Sequence, residues 1–271
     1  MELLMTAELF NKFRKLIIDN LGFYFPESKK NLLLARLAKR ITKLEMGSIC
    51  EYKEYLFNND TELSHFLNLI TTNKTSFYRE REHFNWIKEY LLPTYFSQGK
   101  DIFKIWCAGC SSGQEAYSLS MEMLNFKKNN KGFDFRIYAT DVNTEMLGKA
   151  REGVYPIKVS SEIPLIRRSE YLLKGTLAKK DYFKFNEEVT SKIKFSYCNL
   201  LDLQKYSNNT FDLIMCRNVL IYFPRAIQSK IINNFNKYIA LNGYLVIGHS
   251  ESLPKDIMYL DSLKSGVHRI L

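Results

Sequence analysis

The chain has 271 residues, 46% of them hydrophobic, five cysteines and a formal charge of +10. That hydrophobic share supports the core of one large or two modest domains, and no apolar run approaches the length of a signal peptide or a transmembrane helix. The odd, irregularly spaced cysteines (Cys50, Cys107, Cys110, Cys198, Cys216) exclude a disulfide framework and point to a reducing, cytoplasmic compartment, while the excess of Lys and Arg implies an acidic partner.

Residues up to about 90 read as all-helical. Apolar periodicity predicts helices over 6–20, 28–45, 52–58, 61–70 and 80–91, with Pro93 and Gly99 punctuating the boundary. The second helix, SKKNLLLARLAKRITKLEM, sets Leu33, Leu37, Ile41 and Leu44 on one face, while Arg36, Lys39, Arg40 and Lys43 recur at helical spacing on another. One face packs and the other reads as a cationic stripe, without the aromatic residues that an RNA contact would often add. Strands then alternate with helices: strand 103–107, helix 113–126, strand 135–140, helix 144–151, strand 211–216, helix 225–239, strand 243–248 and a last strand over 267–271. This alternation predicts an α/β, Rossmann-like domain with a mainly parallel sheet. Tyr182, Phe183, Phe185 and Val189 suggest short strands that interrupt it. The expected organisation is therefore a helical domain over 1–90 and an α/β domain over 91–271, with a small antiparallel insertion at about 155–192.

The segment KIWCAGCSSGQE, Lys104 to Glu115, runs from a strand through a small-residue turn into a helix that carries a carboxylate. Such a turn brings backbone close to a nucleoside, and Gly109 and Gly113 stand where a side chain would obstruct the ligand. A dinucleotide fingerprint would need glycine at Ser111 and Gln114, and a phosphate loop would need Gly-Lys-Ser/Thr, so neither pyrophosphate nor triphosphate is favoured. Asp141 ends the next strand, FRIYAT, where an acidic side chain bonds ribose hydroxyls or caps the following helix. A nucleoside cofactor without a phosphate chain fits, S-adenosylmethionine being the common one. Cys107 and Cys110 form a C-x-x-C with no second pair to match it, so they read as buried thiols and no metal is expected. The turn TTNKTSFYR, Thr71 to Arg79, collects Asn73, Thr75 and Arg79, which suit the amino-acid end of such a cofactor; helix capping would explain the Thr and Asn but not Arg79.

TTNKTSFYRE, IWCAGCSSGQEAYSL, YATDVNTEML, FDLIMCRNVLIYF and NGYLVIGHSESL, in this order along nearly the whole chain, resemble the motif set of the CheR-type chemotaxis receptor-glutamate methyltransferases. The resemblance implies a helical N-terminal domain, an S-adenosylmethionine-dependent methyltransferase domain and an inserted β-subdomain. Carried over residue by residue, it places Asn73, Thr75 and Arg79 at the methionine part of the cofactor, Glu115 in the glycine motif, Asp141 on the ribose, and Asn199, Leu200, Arg217 and Asn218 beside the adenine.

The implied reaction gives glutamate methyl esters and S-adenosylhomocysteine, and it needs no base, because a glutamate side chain is already ionised near neutral pH. Positioning must then supply most of the rate. Tyr222, in NVLIYF, is a candidate for lining the transfer site with Arg79, or else a core aromatic beside Phe223; His249, after a strand end, reads as a structural histidine before it reads as a residue of the cleft border. The implied partner is the glutamate-rich cytoplasmic domain of methyl-accepting chemotaxis receptors, which Arg36, Lys39, Arg40 and Lys43 would dock. A monomer acting without nucleic acid or membrane insertion is expected. The rivals are an RNA or DNA methyltransferase, for which RNVLIYF stands where Asn/Asp-Pro-Pro-aromatic would be expected, and a signalling module that binds cofactor without catalysis.

Overall fold

The helical periodicity of the first seventy residues is realised as four helices with defined ends. The structure, a computed structural model, describes residues 4–99, 102–203 and 210–270. It divides the chain into two units, one of residues up to Thr72 together with Tyr222–Ile227 and the other of Asn73–Ile221 with the residues from Gln228 onward. In the first unit, α1 (Ala7–Leu21) starts where Thr6 Oγ1 accepts from the Leu9 N–H at 3.2 Å and stops at Gly22, whose left-handed φ of 68° lets its N–H reach the Ile18 carbonyl at 2.8 Å. α2 (Lys30–Lys43) buries Leu33, Leu37 and Ile41. α3 (Ile49–Phe57) and α4 (Asp60–Ile70) start at the side-chain caps Ser48 and Asn59. Phe10, Phe13, Ile17, Tyr52 and Phe66 are buried with the apolar face of α2.

Two of the four cations read as a docking stripe turn inward within this unit. Arg36 donates through one guanidinium nitrogen to the Leu69, Ile70 and Thr71 carbonyls at 2.7, 2.5 and 3.3 Å, so it satisfies the open C-terminus of α4. Arg40 grips Glu62 with two parallel bonds of 2.9 and 2.5 Å, and the Tyr52 hydroxyl donates to the same carboxylate at 2.8 Å. Burial alone would raise the Glu62 pKa, but the bonds from Arg40 and Tyr52 outweigh it and hold it below the ordinary carboxylate range. The stripe is thereby corrected to Lys39 and Lys43, which remain exposed. Helical spacing could not show this, because the partners of Arg36 and Arg40 lie on α4 or at its C-cap Thr71, 22 to 35 residues away.

The second unit begins at Asn73, so the expected boundary near residue 90 moves to Thr72/Asn73. The predicted helix over 80–91 packs with this unit because Phe84, Ile87, Leu91 and Leu92 share a core with Phe103 and Ile105. Pro93 does not end it. α5 (Arg81–Trp86) widens into a π turn over Ile87–Leu91 and continues as α6 (Leu92–Phe96); a π turn accommodates the missing proline N–H without stopping the helix. There follow β1 (Ile102–Ala108), α7 (Gln114–Asn129), β2 (Asp134–Asp141) and α8 (Thr144–Glu152). The insertion comprises β3 (Val154–Pro156), α9 (Leu165–Tyr171), β4 (Leu172–Lys174), β5 (Tyr182–Phe185) and α10 (Glu187–Thr190). β6 (Ile193–Tyr197), β7 (Phe211–Cys216), α11 (Arg225–Asn236), β8 (Ile239–Ile247), β9 (Leu260–Lys264) and β10 (Val267–Ile270) complete the order; Leu271, the last residue of the expected final strand, lies outside the described residues.

Among the described residues the large sheet has seven strands in the order β6-β2-β1-β7-β8-β10-β9, parallel except that β10 runs against both its neighbours. The expected insertion is a three-stranded antiparallel sheet in the order β3-β5-β4. Its aromatics meet the glycine-motif helix, where Tyr117 of α7 stacks on Phe185 at 4.4 Å, and the TTNKTSFYR turn, where Phe77 meets Tyr155 edge-on at 5.0 Å. The chain order reverses direction across the sheet between β1 and β7, and at such a switch point ligands bind outside the carboxyl ends of the strands.

Removing one partner of a buried pair leaves the other charged and unpaired, so Arg40→Ala should cost about 3 kcal/mol of unfolding free energy, against under about 0.5 kcal/mol for Lys39→Ala or Lys43→Ala. Urea unfolding followed by far-UV circular dichroism measures this. The share contributed by Glu62 should be present above the unfolded carboxylate pKa of about 4.3 and lost as pH falls toward the lower folded value.

Candidate functional site

The carboxyl ends of β1 and β2 are tied together by backbone. The Gly109 and Cys110 N–H groups both donate to the Thr140 carbonyl, at 2.8 and 2.9 Å. The turn then passes through left-handed φ at Gly109 (86°), Ser111 (49°) and Gly113 (94°). Its two glycines also serve the protein's own packing. A Cβ at Gly109 would lie 2.5 Å from Val219 Cγ2, and one at Gly113 3.0 Å from Ala150 and 3.2 Å from the Tyr155 hydroxyl. Tyr155 also donates to the Ser112 carbonyl at 2.5 Å, so the inserted subdomain supports the turn directly.

Asp141 organises this turn. Its Oδ2 accepts from the Ser111 N–H at 2.7 Å and its Oδ1 from the Asn143 N–H at 2.8 Å, while its own carbonyl takes the Cys198 N–H at 3.0 Å. Asn143, not Asp141, caps α8, its Oδ1 accepting from Met146 at 2.9 Å. The Ser111 hydroxyl donates to the Asn73 carbonyl at 3.1 Å, joining the TTNKTSFYR turn to the glycine turn. The side chains of Asn73 and Thr75 are half-buried and have no hydrogen-bond partner among the described residues. Asn199 lies one residue beyond Cys198, where its Oδ1 accepts from Leu201 at 3.1 Å in a local turn, and Leu200 is buried.

Arg217, at the end of β7, is 6% exposed and makes the densest contacts. It donates to Glu115 Oε2 at 2.9 Å, to Glu80 Oε2 at 3.0 Å and to the Arg79 carbonyl. Asn218 gives its side-chain amide to Glu80 Oε1 at 3.0 Å. Glu80 stands one residue beyond Arg79 and was not singled out in sequence; the E that closes TTNKTSFYRE was the available signal. Arg79 itself bonds the Lys74 carbonyl at 3.0 Å and is half-buried. His249 gives its backbone N–H to Glu80 at 3.3 Å, and its ring stacks on His83 at 4.5 Å. Burial, with Arg217 adding to it, pushes the His83 imidazole down to about 4, so it is neutral at physiological pH. Glu80, His83 and His249 bring donor atoms within 4.8 Å of one another, and Glu80 already accepts from Arg217 and Asn218.

The structure thus gathers Asn73, Thr75, Arg79, Gly109, Glu115, Asp141, Asn199, Leu200, Arg217 and Asn218 in one unit. Tyr222 is grouped with the other, where its carbonyl accepts from the Tyr24 N–H at 2.8 Å and its ring lies 5.8 Å from Phe23.

Two family descriptions match in order: an all-alpha CheR domain over residues 8–71, and the CheR methyltransferase SAM binding domain over residues 73–267. The chain belongs to the CheR methyltransferase family. A chemotaxis protein methyltransferase of Borreliella burgdorferi is 32% identical over 92% of this chain and 89% of its own length. Chemotaxis protein methyltransferase 2 of Pseudomonas aeruginosa is 32% identical over 91% of this chain and 87% of its own. That of Escherichia coli is 30% identical over 90% and 84%. The break between the two family domains coincides with the Thr72/Asn73 division of the structure.

The CheR site fits S-adenosylmethionine on its donor set. That cofactor carries a sulfonium and an ammonium, and this site keeps two carboxylates, Glu115 and Asp141, in low-dielectric surroundings. Burial pushes the Glu115 carboxyl up against the pull of Arg217, and burial pushes Asp141 up against three backbone N–H groups. Each Asp141 oxygen retains a lone pair for a ribose hydroxyl. The Cys107 and Cys110 thiols are buried, and burial raises both well above their ordinary value, so neither is a ready thiolate ligand.

A cationic cofactor favours ionised Glu115, so binding lowers its pKa. Affinity should be full above the raised pKa of the free protein and fall as pH drops through it. Glu115→Gln should weaken S-adenosylmethionine binding about tenfold at neutral pH and leave only the Asp141 share of the pH slope. Calorimetric titration between pH 5 and 7.5 checks both.

Proposed function

We propose that this methyltransferase transfers the methyl group of S-adenosylmethionine to glutamate side-chain carboxylates of chemotaxis receptors, leaving S-adenosylhomocysteine. The observation that carries this reading is the order of the two matched domains. A SAM-binding fold alone suits RNA and DNA methyltransferases equally, whereas the all-alpha CheR domain ahead of it accompanies relatives called chemotaxis protein methyltransferases. RNVLIYF also lacks the Pro-Pro-aromatic run of amino-group methylation.

In this reading Asn73, Thr75 and Arg79 hold the methionine end, Glu115 receives its ammonium, Asp141 the ribose, and Asn199 and Leu200 the adenine. Bound cofactor supplies an electrophilic methyl carbon. The chain's own residues orient the two reactants and exclude water, since attack by an ionised carboxylate needs no proton removed. His83 is buried, with its imidazole pushed down to about 4, and this reading gives it no proton transfer. Arg217 acts through Glu115 and Glu80, which narrows its sequence-based assignment beside the adenine; Tyr222 remains a candidate for orienting the incoming carboxylate. No described helix is long and apolar enough to cross a membrane. We place the protein in the cytoplasm, as a monomer, acting on the receptor's cytoplasmic domain without nucleic acid.

Labelled methyl from S-adenosylmethionine should appear in receptor-containing membranes and be released by alkali, as a carboxyl ester is. Label in RNA with none in receptor would overturn the reading. The docking part has its own test, because Lys39 and Lys43 are the exposed pair on α2. Lys39→Glu with Lys43→Glu should raise the receptor KM about fivefold, an effect that shrinks in high salt, with cofactor affinity unchanged. An unchanged receptor KM would remove α2 from the docking surface.

A further inference from the structure

The turn leaving β7 passes through the left-handed region at an asparagine, one of the few non-glycine types that enter it readily. Asn218 has a φ of 58°. Two carboxylates hold it there. Glu251, just past the end of β8, accepts from the Asn218 N–H at 2.8 Å and the Gly248 N–H at 2.6 Å through Oε2, and from the Ile221 N–H at 3.2 Å through Oε1. Glu80, itself at φ 53°, takes the Asn218 side-chain amide at 3.0 Å. Gly248 permits the close approach, since a Cβ there would lie 2.5 Å from Asn218 Nδ2 and 2.9 Å from Glu251 Oε2. One carboxylate therefore joins the ends of two adjacent parallel strands and binds both ends of the segment from Asn218 to Ile221, whose next residue is Tyr222.

Resting on the glutamate-methylation reading, we propose that Glu251 is a positioning residue for methyl transfer. Together with Glu80 it clamps Asn218 in its left-handed conformation and so fixes the course of the chain from Arg217 to Ile221. The donors to Glu251 are backbone N–H groups, so its action does not depend on the Ile221 side chain, whereas position 248 must stay glycine for the approach. Bonds to an ionised acceptor are the strong class, and three of them on one carboxylate leave the turn little freedom. Transfer without a base depends on alignment, for which a displacement of about 1 Å costs about a hundredfold in rate. The clamp puts that alignment in place before the acceptor arrives.

The test uses the full chain, receptor-containing membranes and calorimetry with S-adenosylhomocysteine. Glu251→Ala should lower kcat about 30-fold with the cofactor KM within about threefold, and Glu251→Gln, which keeps an acceptor oxygen toward Asn218 and Gly248, should recover to within about fivefold of wild type. Wild-type kcat in the alanine variant, or a glutamine variant as slow as alanine, would overturn the proposal. Should alanine fail to fold, Glu251→Asp decides: it keeps the charge but is too short to reach the Ile221 N–H, so a lowered kcat at an unchanged cofactor KM supports the clamp and wild-type kcat refutes it. Wild-type protein that labels no receptor would refute the glutamate reading instead. The clamp is then read from amide exchange at Asn218 and Gly248, which Glu251→Ala should speed at least about tenfold if the bonds are as described; unchanged exchange would reject it.

Discussion

A guanidinium with almost no access to water, shared between two carboxylates and a backbone carbonyl, is the interaction on which the second unit's site depends. Arg217 joins the end of β7 to Glu115 at the start of α7 and to Glu80 after the Asn73–Arg79 turn. A buried ion pair adds little net stability, because desolvation offsets most of the Coulombic gain, yet loss of one partner is expensive. Its effect here is to fix geometry. Three segments far apart in sequence are held by one planar group whose donors cannot rotate independently.

Around that centre the site consists largely of backbone bonded to acidic side chains. Asp141 collects the Ser111 and Asn143 N–H groups, Glu251 those of Asn218, Gly248 and Ile221, and Glu80 that of His249. Every strand end at the switch point of the sheet is thus pinned by a carboxylate. The arrangement leaves buried negative charge partly compensated from within, and a cofactor bearing a sulfonium and an ammonium completes the compensation. Electrostatics and the shape of the turns favour the same ligand.

Much of this was legible in the sequence because it is local. Strand, glycine turn and helix over 102–129, and Asp141 at the end of β2, follow from periodicity and turn chemistry. Packing across the chain was not. Arg36 and Arg40 lie at the same helical spacing as Lys39 and Lys43, yet their partners are on α4, so a pattern read along one helix could not separate bound from exposed cations. Pro93 read as a stop because a proline cannot donate, and the π turn before it removes that requirement. β9 is hard to read from sequence because it forms a sheet edge and is mostly exposed, without the apolar runs of the central strands. Glu80 and Glu251 were within quoted motifs, but their roles arise from bonds to Arg217 and to backbone brought close only by folding.

The claim that the Arg217 network organises the cofactor crevice is tested most directly by S-adenosylhomocysteine affinity in Arg217→Lys. Lysine keeps the charge but carries its three donors on a single nitrogen, so it cannot span the positions that two separate guanidinium nitrogens reach at Glu115, Glu80 and the Arg79 carbonyl. The account predicts a folded protein whose dissociation constant rises at least about tenfold, or ~1.4 kcal/mol. Wild-type affinity in that variant would contradict it, showing that the crevice is shaped without the buried guanidinium.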